Sequence, residues 1–197
     1  MHEDGSEVQQ ELSTKQEQEL VDKILEFKPY LEDFDRVPGL VATYKLSDIS
    51  VALYINNNTN LSKEALHSSV VVSQRIPGTK DWHTQDTYLI SRNSDHSTKL
   101  SFDREYMRLV FNEDGKPFME RFPTDIKELS TLAAESTDKE HQRHIYDLIE
   151  IKRQEDIDFA KQFGAVGHGF TVERFNELMS ILGSINPETA TPNVPIS

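Results

Sequence analysis

With 197 residues, 36% hydrophobic and 28% charged, the chain is long enough to bury a core without staples, and its 9% aromatic content argues against disorder. It has no cysteine, which excludes disulfides, thiolate nucleophiles and cysteine-bound zinc or iron–sulfur clusters. The net charge of −13 sits at the ends: residues 1–40 carry 4 basic and 11 acidic side chains, 41–122 carry 10 of each, and 123–197 carry 7 and 13. Acidic ends repel phosphate, so no nucleic-acid partner is expected.

Residues 1–12 are polar and read as a flexible N-terminus. Met1 to Gly5 is acidic where a secretory signal is basic and then apolar, so the cytoplasm is the default compartment, although a chain trimmed of its signal would look the same. Thr14 and Glu17 have capping-box spacing. Leu20, Ile24, Phe27, Leu31 and Phe34 then recur at helical steps, which predicts a helix to about Phe27. Pro29 removes a donor and predicts a kink or a second short turn there.

The period changes to two at Leu40. Leu40, Ala42, Tyr44 and Leu46 alternate, as do Val51, Leu53 and Ile55, with Ser47-Asp48 between them as a hairpin turn. Asn56 to Asn60 reads as a polar loop and Ser62 to Leu66 as one helical turn. Val70 to Ile76 reads as a strand, and its unbroken aliphatic start suggests burial on both faces. That run, Val70-Val71-Val72, is the longest in the chain and far short of a membrane helix, so no membrane partner is expected.

Pro77-Gly78 opens a loop to Asp86 that holds Trp82 and His83. Thr87 to Arg92 and Thr98 to Asp103 read as strands. Met107, Leu109 and Phe111 alternate before the turn Asn112-Glu113-Asp114-Gly115, and Phe118 to Phe122 completes the clearest hairpin. Asp125 with Glu128, and Thr137 with Glu140, mark two helix starts. The second helix runs from about 138 to 163 and stops at Gly164. Val172, Phe175, Met179 and Leu182 mark a last amphipathic helix, ended by Gly183 and Pro187. Residues 186–197 hold three prolines and read as a flexible tail. The fold class is therefore α+β: an antiparallel sheet of six or seven strands, preceded by one helix and followed by about three, in a single domain over 13–185.

Few residues point to chemistry. His141, His144 and Asp147 share one helix face and could supply a metal, though not in the His-Glu-x-x-His pattern; both histidines also flank the buried stripe of Ile145 and Leu148. His83 and the Asp95-His96 pair sit in loops at opposite ends of one strand and cannot form one site together. Trp82 reads as a core anchor or an exposed contact residue, with His83 beside it. The Gly164 to Gly169 segment follows a helix, so it is not a dinucleotide loop. A helix–turn–helix echo over 160–178 is opposed by the acidity of the segment. Arg75, Arg92, Lys99, Arg104, Arg108 and Arg121 lie on or beside strands, where pairing with Asp103, Glu105 and Glu120 is the simplest fate. Arg108, between Met107 and Leu109, is expected to point away from the apolar face.

No cofactor is implied. The leading expectation is a non-enzymatic interaction or regulatory module with a basic protein partner, oligomeric state open. The alternative is a small-molecule-binding or hydrolytic enzyme with a histidine-containing cleft between sheet and helices, lined by Phe102, Tyr106, Phe118 and Trp82.

Overall fold

Helix formation begins one residue earlier than the expected capping box. In a computed structural model of the protein, which describes residues 12–31, 41–55, 66–93, 95, 97–123, 125–163 and 170–193, helix α1 spans Thr14–Leu25 with Ser13 as its cap. The Ser13 hydroxyl accepts from the Gln16 amide at 3.2 Å, and the Gln16 side chain accepts from the Ser13 amide at 2.9 Å. Both Ser13–Gln16 and Thr14–Glu17 fit the pattern, and the extended backbone of Ser13 decides between them. The short helix α2, Lys28–Leu31, supplies the second turn at Pro29. Pro29 lies in its first turn, where a missing N–H leaves nothing unmade.

The strands follow: β1 Val41–Leu46, β2 Ile49–Ile55, β3 Leu66–Arg75, β4 Trp82–Arg92, β5 Thr98–Phe111 and β6 Pro117–Phe122. Ser47-Asp48 closes the first hairpin, with Leu46 opposite Ile49 and Ala42 opposite Leu53. Leu66 opens β3 rather than closing a helical turn; residues 56–65 lie outside the described ones. Along β3 burial alternates, with Val70 and Val72 buried and Val71 half-buried, so the aliphatic run is not buried on both faces.

Trp82 and His83 are the first two residues of β4, not part of a loop. The Ile76 amide donates to the Trp82 carbonyl at 2.8 Å, which brings the chain back into pairing directly after the Pro77-Gly78 turn. The two strands expected over 98–103 and 107–111 are one 14-residue strand. The charged residues between them stay within the strand because partners meet them: Arg104 lies 3.6 Å from Glu155, and Glu105 lies 3.8 Å from Arg121 across β6. Asn112 builds the β5–β6 turn, its side-chain oxygen accepting from the Asp114 and Lys116 amides, and Gly115 supplies a φ of +76°.

Helices α3 (Ile126–Glu135), α4 (Lys139–Phe163) and α5 (Val172–Gly183) come after the sheet. Asp125 caps α3. At α4 the cap is Asp138, whose carboxylate accepts from the Glu140 and His141 amides, and not the expected Thr137–Glu140 box. An Asp side chain reaches these amides from one residue nearer, leaving Glu140 free of capping. Thr171 caps α5. Beyond it, the proline-rich end contributes a 3₁₀ turn at Pro187–Thr189 and a strand, β7 (Thr191–Asn193), antiparallel to β1. The fold class stands as α+β, with an antiparallel sheet ordered β6-β5-β4-β3-β2-β1-β7.

The chain divides into two compact units. The first takes its described residues from 75–85 and 104–163, the second from 12–74, 86–103 and 170–193. In the second unit, Leu20 and Ile24 of α1, Phe27 in the turn after it, and Phe175, Leu178 and Leu182 of α5 pack with Tyr44, Leu53, Val70, Tyr88 and Ile90 of the strands. In the first, Leu129 and Ala133 of α3 and Ile145, Leu148 and Ile149 of α4 pack with Trp82, Tyr106 and Phe122. Among the described residues no helix is long and apolar enough to cross a membrane.

Candidate functional site

Polar side chains gather in the first unit, where α4 meets β5. On β5, Arg104, Tyr106 and Arg108 share one face because strand side chains alternate with a period of two. That face carries the buried Tyr106 of the core cluster, so Arg108 points toward α4 and not away from the core as its neighbours suggested. Met107 is buried as well, on the other face.

Near the middle of α4, Glu155 receives two groups from β5. The Tyr106 hydroxyl donates to its Oε2, and Arg104 pairs with the same oxygen. Lys152 lies 5.6 Å from the centre of the Tyr106 ring. Burial first, and then the Glu155 carboxylate, raise the Tyr106 phenol well above its ordinary value, so it stays a protonated donor.

Farther along β5, against the earlier part of α4, lies Arg108. Its guanidinium donates to the His144 ring, lies 5.7 Å over the Trp82 ring, and sits 3.8 Å from the Asp81 carboxylate. Among the described residues its Nε has no hydrogen-bond partner. His144 is 7% exposed. Burial, and then the charge of Arg108, hold its imidazole below the ordinary histidine value, with Arg143 adding to the effect and Glu140 and Asp147 opposing it. Arg108 Nη1 lies against both Nδ1 and Nε2 of the ring; a guanidinium only donates and a neutral imidazole has one lone pair, so the bond goes to whichever ring nitrogen carries no proton.

The alternative reading of His141, His144 and Asp147 as a metal face meets a different arrangement. His144 is taken up by Arg108, while His141 places Nδ1 3.2 Å from Glu120 and stacks on Phe122 at 5.9 Å. Asp147 is exposed. Among the described residues no three histidine or carboxylate side chains are grouped to hold a metal ion.

Trp82 is a core residue, 6% exposed and 5.2 Å from the Phe122 ring. His83, half-buried beside it, bonds through Nδ1 to the Asp81 carbonyl at 3.1 Å, which fixes the proton on that nitrogen. Asp95 accepts from the amide and hydroxyl of Ser97, closing its own turn. His96 and the 164–169 segment lie outside the described residues. Phe118, expected in a cleft, is 50% exposed, and Phe102 belongs to the second unit, where it packs 5.1 Å from Tyr88.

Of the strand arginines, Arg121 pairs across strands with Glu105 as their alternation with carboxylates suggested, while Arg104, Arg108 and Arg92 take partners outside the strands. Arg104, Arg108 and Arg121 meet Glu155, Asp81 and Glu105, and Arg92 donates to Gln18 at 2.8 Å. Two contacts lay outside the sequence reading. The Tyr106–Glu155 bond was legible only as a tyrosine alternating with two arginines. In the second unit, Ser91 Oγ lies 2.9 Å from His67 Nδ1 on neighbouring strands, and no local spacing announces it.

Comparison with models of protein families, with curated proteins and with solved structures gives no match.

Proposed function

We propose that this chain is a non-enzymatic protein-interaction module whose partner is a basic protein. The observation that carries the reading is the β5–β6 hairpin. β6 is an edge strand of the sheet, and at its turn Phe111 is 64% exposed, Phe118 50% and Met119 40%. Phe111 and Met119 share one face of the paired hairpin and Phe118 lies on the other, so this sheet edge holds large apolar side chains open on both sides, as a contact edge does. Glu113 and Asp114, both exposed, sit between Phe111 and Phe118, with Lys116 the one cation of the turn. That combination suits a segment carrying apolar and basic side chains. The charged groups at the α4–β5 contact support the reading from the other side, since they neutralise one another rather than standing free for a reaction.

The test is affinity capture with the full chain at low salt, comparing the natural hairpin with Phe111→Ser/Phe118→Ser and with Glu113→Lys/Asp114→Lys. Basic proteins held by the natural chain should be lost in both double variants and released by added salt. Partners that bind all three chains equally, or that ignore salt, refute the proposal.

One observation favours the hydrolytic alternative. Ser91 and His67 have the spacing of a nucleophile and its base. Ester hydrolysis abolished by Ser91→Ala would establish it, and hydrolysis unchanged by that substitution would remove it.

A further inference from the structure

We propose that the Arg108–His144 contact is an acid-sensitive latch, which holds α4 on β5 while the imidazole is neutral and lets go when the ring takes a proton. The inference does not rest on the interaction reading.

The chemistry of the pair is asymmetric. A guanidinium cannot accept a hydrogen bond and does not lose its proton in any ordinary range. The neutral ring offers it a lone pair; the imidazolium offers none and adds a second positive charge. Contact then turns from a hydrogen bond into repulsion between two cations at a nearly buried position.

The neighbouring groups do not rescue it. From α4 itself, Glu140 lies 3.9 Å from His144 Nε2, but it is 75% exposed and rides on the same helix, so it can follow the ring outward without tying α4 to β5. Asp147, also on α4, is exposed, and Arg143 adds positive charge. From the β3–β4 connection, Asp81 faces Arg108 rather than the ring. From β6, Glu120 stands opposite Arg108 in the register but is held by His141. Helix α3 turns Leu129 and Ala133 inward and leaves Lys127, Glu128 and Glu135 exposed. The depressed proton affinity of His144 agrees with this inventory.

A second tie lies beside it: His141 stands 3.2 Å from Glu120 of β6, so the change is a local rearrangement around Arg108 and not a general loss of the helix.

The molecule carries its own reporter. Trp82 is the single tryptophan, and the Arg108 guanidinium lies over its ring. Trp82 emission of the full chain is recorded from about pH 8 to about pH 5, alongside the far-ultraviolet circular dichroism and the imidazole Hε1 resonances. The expected result is a reversible emission change with helix content retained, its midpoint matching the His144 titration. His144→Gln, which cannot be protonated, should abolish the change, and His141→Gln should leave it. If His144→Gln fails to fold, Arg108→Met serves: removing the opposing cation should also abolish the step. An emission that is flat in the natural chain overturns the latch. So does a step that survives in His144→Gln or Arg108→Met, or one whose midpoint departs from the His144 resonance.

Discussion

Trp82 is the sharpest point at which to test the first unit's core, because a core anchor and a contact residue respond differently to its removal. The side chain is 94% buried, being 6% exposed, and it stacks obliquely on Phe122 at 5.2 Å. A buried tryptophan removes about 150–250 Å² from water. Trp82→Ala keeps one carbon of it, so at roughly 25 cal/mol per Å² the smaller figure already gives about 4 kcal/mol. The lost ring pair with Phe122 adds about 1 kcal/mol, and relaxation of the neighbours recovers part of the total. The expected loss is therefore about 3–5 kcal/mol, the usual range for such truncations. That is a large share of a typical domain's stability of about 5–15 kcal/mol. Urea unfolding followed by far-ultraviolet circular dichroism measures it, since the variant has no tryptophan to report. Trp82→Phe, which keeps a ring against Phe122, should fall between the two. A Trp82→Ala chain destabilised by less than about 1 kcal/mol would show that the side chain lies at the surface, outside this core.

Three further outcomes are expected. Asp138→Ala should cost about 1 kcal/mol in urea unfolding while Thr137→Ala costs next to nothing, because Asp138 holds the first amides of α4. Gly115→Ala should cost about 1 kcal/mol by the same measurement, since its φ of +76° strains a side-chain-bearing residue although the space around it is open. The pH dependence has a defined sign. His144 binds its proton less readily folded than unfolded, so its contribution is complete above its ordinary value of 6.5 and is lost as the pH falls below it, at no more than about 1.4 kcal/mol per pH unit. Tyr106 and Tyr44, the latter pushed up to about 12 by burial, act at the other end: their contribution is complete below 10 and is lost as the pH rises beyond it. Urea midpoints across the pH range check both limbs, and His144→Gln should flatten the acid limb.

The legible parts of this fold are those with local causes. The hairpins at Ser47-Asp48 and Asn112-Gly115 were readable because alternation and turn residues coincide there, and α4 because its apolar residues keep a helical period. Failures came where a distant partner overrides the local signal. Charged residues at 104 and 105 look like a break in β5 until Glu155 and Arg121 meet them. Trp82 reads as loop because Pro77, Gly78 and two charged residues precede it, yet strand pairing resumes at once. Arg108 reads as facing away from the core because Met107 and Leu109 flank it, whereas the core on its side is set by Tyr106 and by a helix residue 36 positions away. Prolines at the end of the chain concealed β7, a strand that needs β1 beside it.

The length of β5 carries a consequence for how this sequence can vary. Its first part, including Leu100 and Phe102, packs with the second unit's core, and its later part supplies Tyr106 to the first. A single inserted or deleted residue within the strand inverts every side chain beyond it. Placed after Phe102, such a change would bring Met107 or Glu105 to the position of Tyr106 and turn Arg108 away from His144, while leaving the earlier residues in place. Substitutions along β5 can be absorbed one at a time; a change in its length cannot. Natural length variation in this chain should therefore fall in the connections between strands, leaving the 14 residues of β5 at constant number.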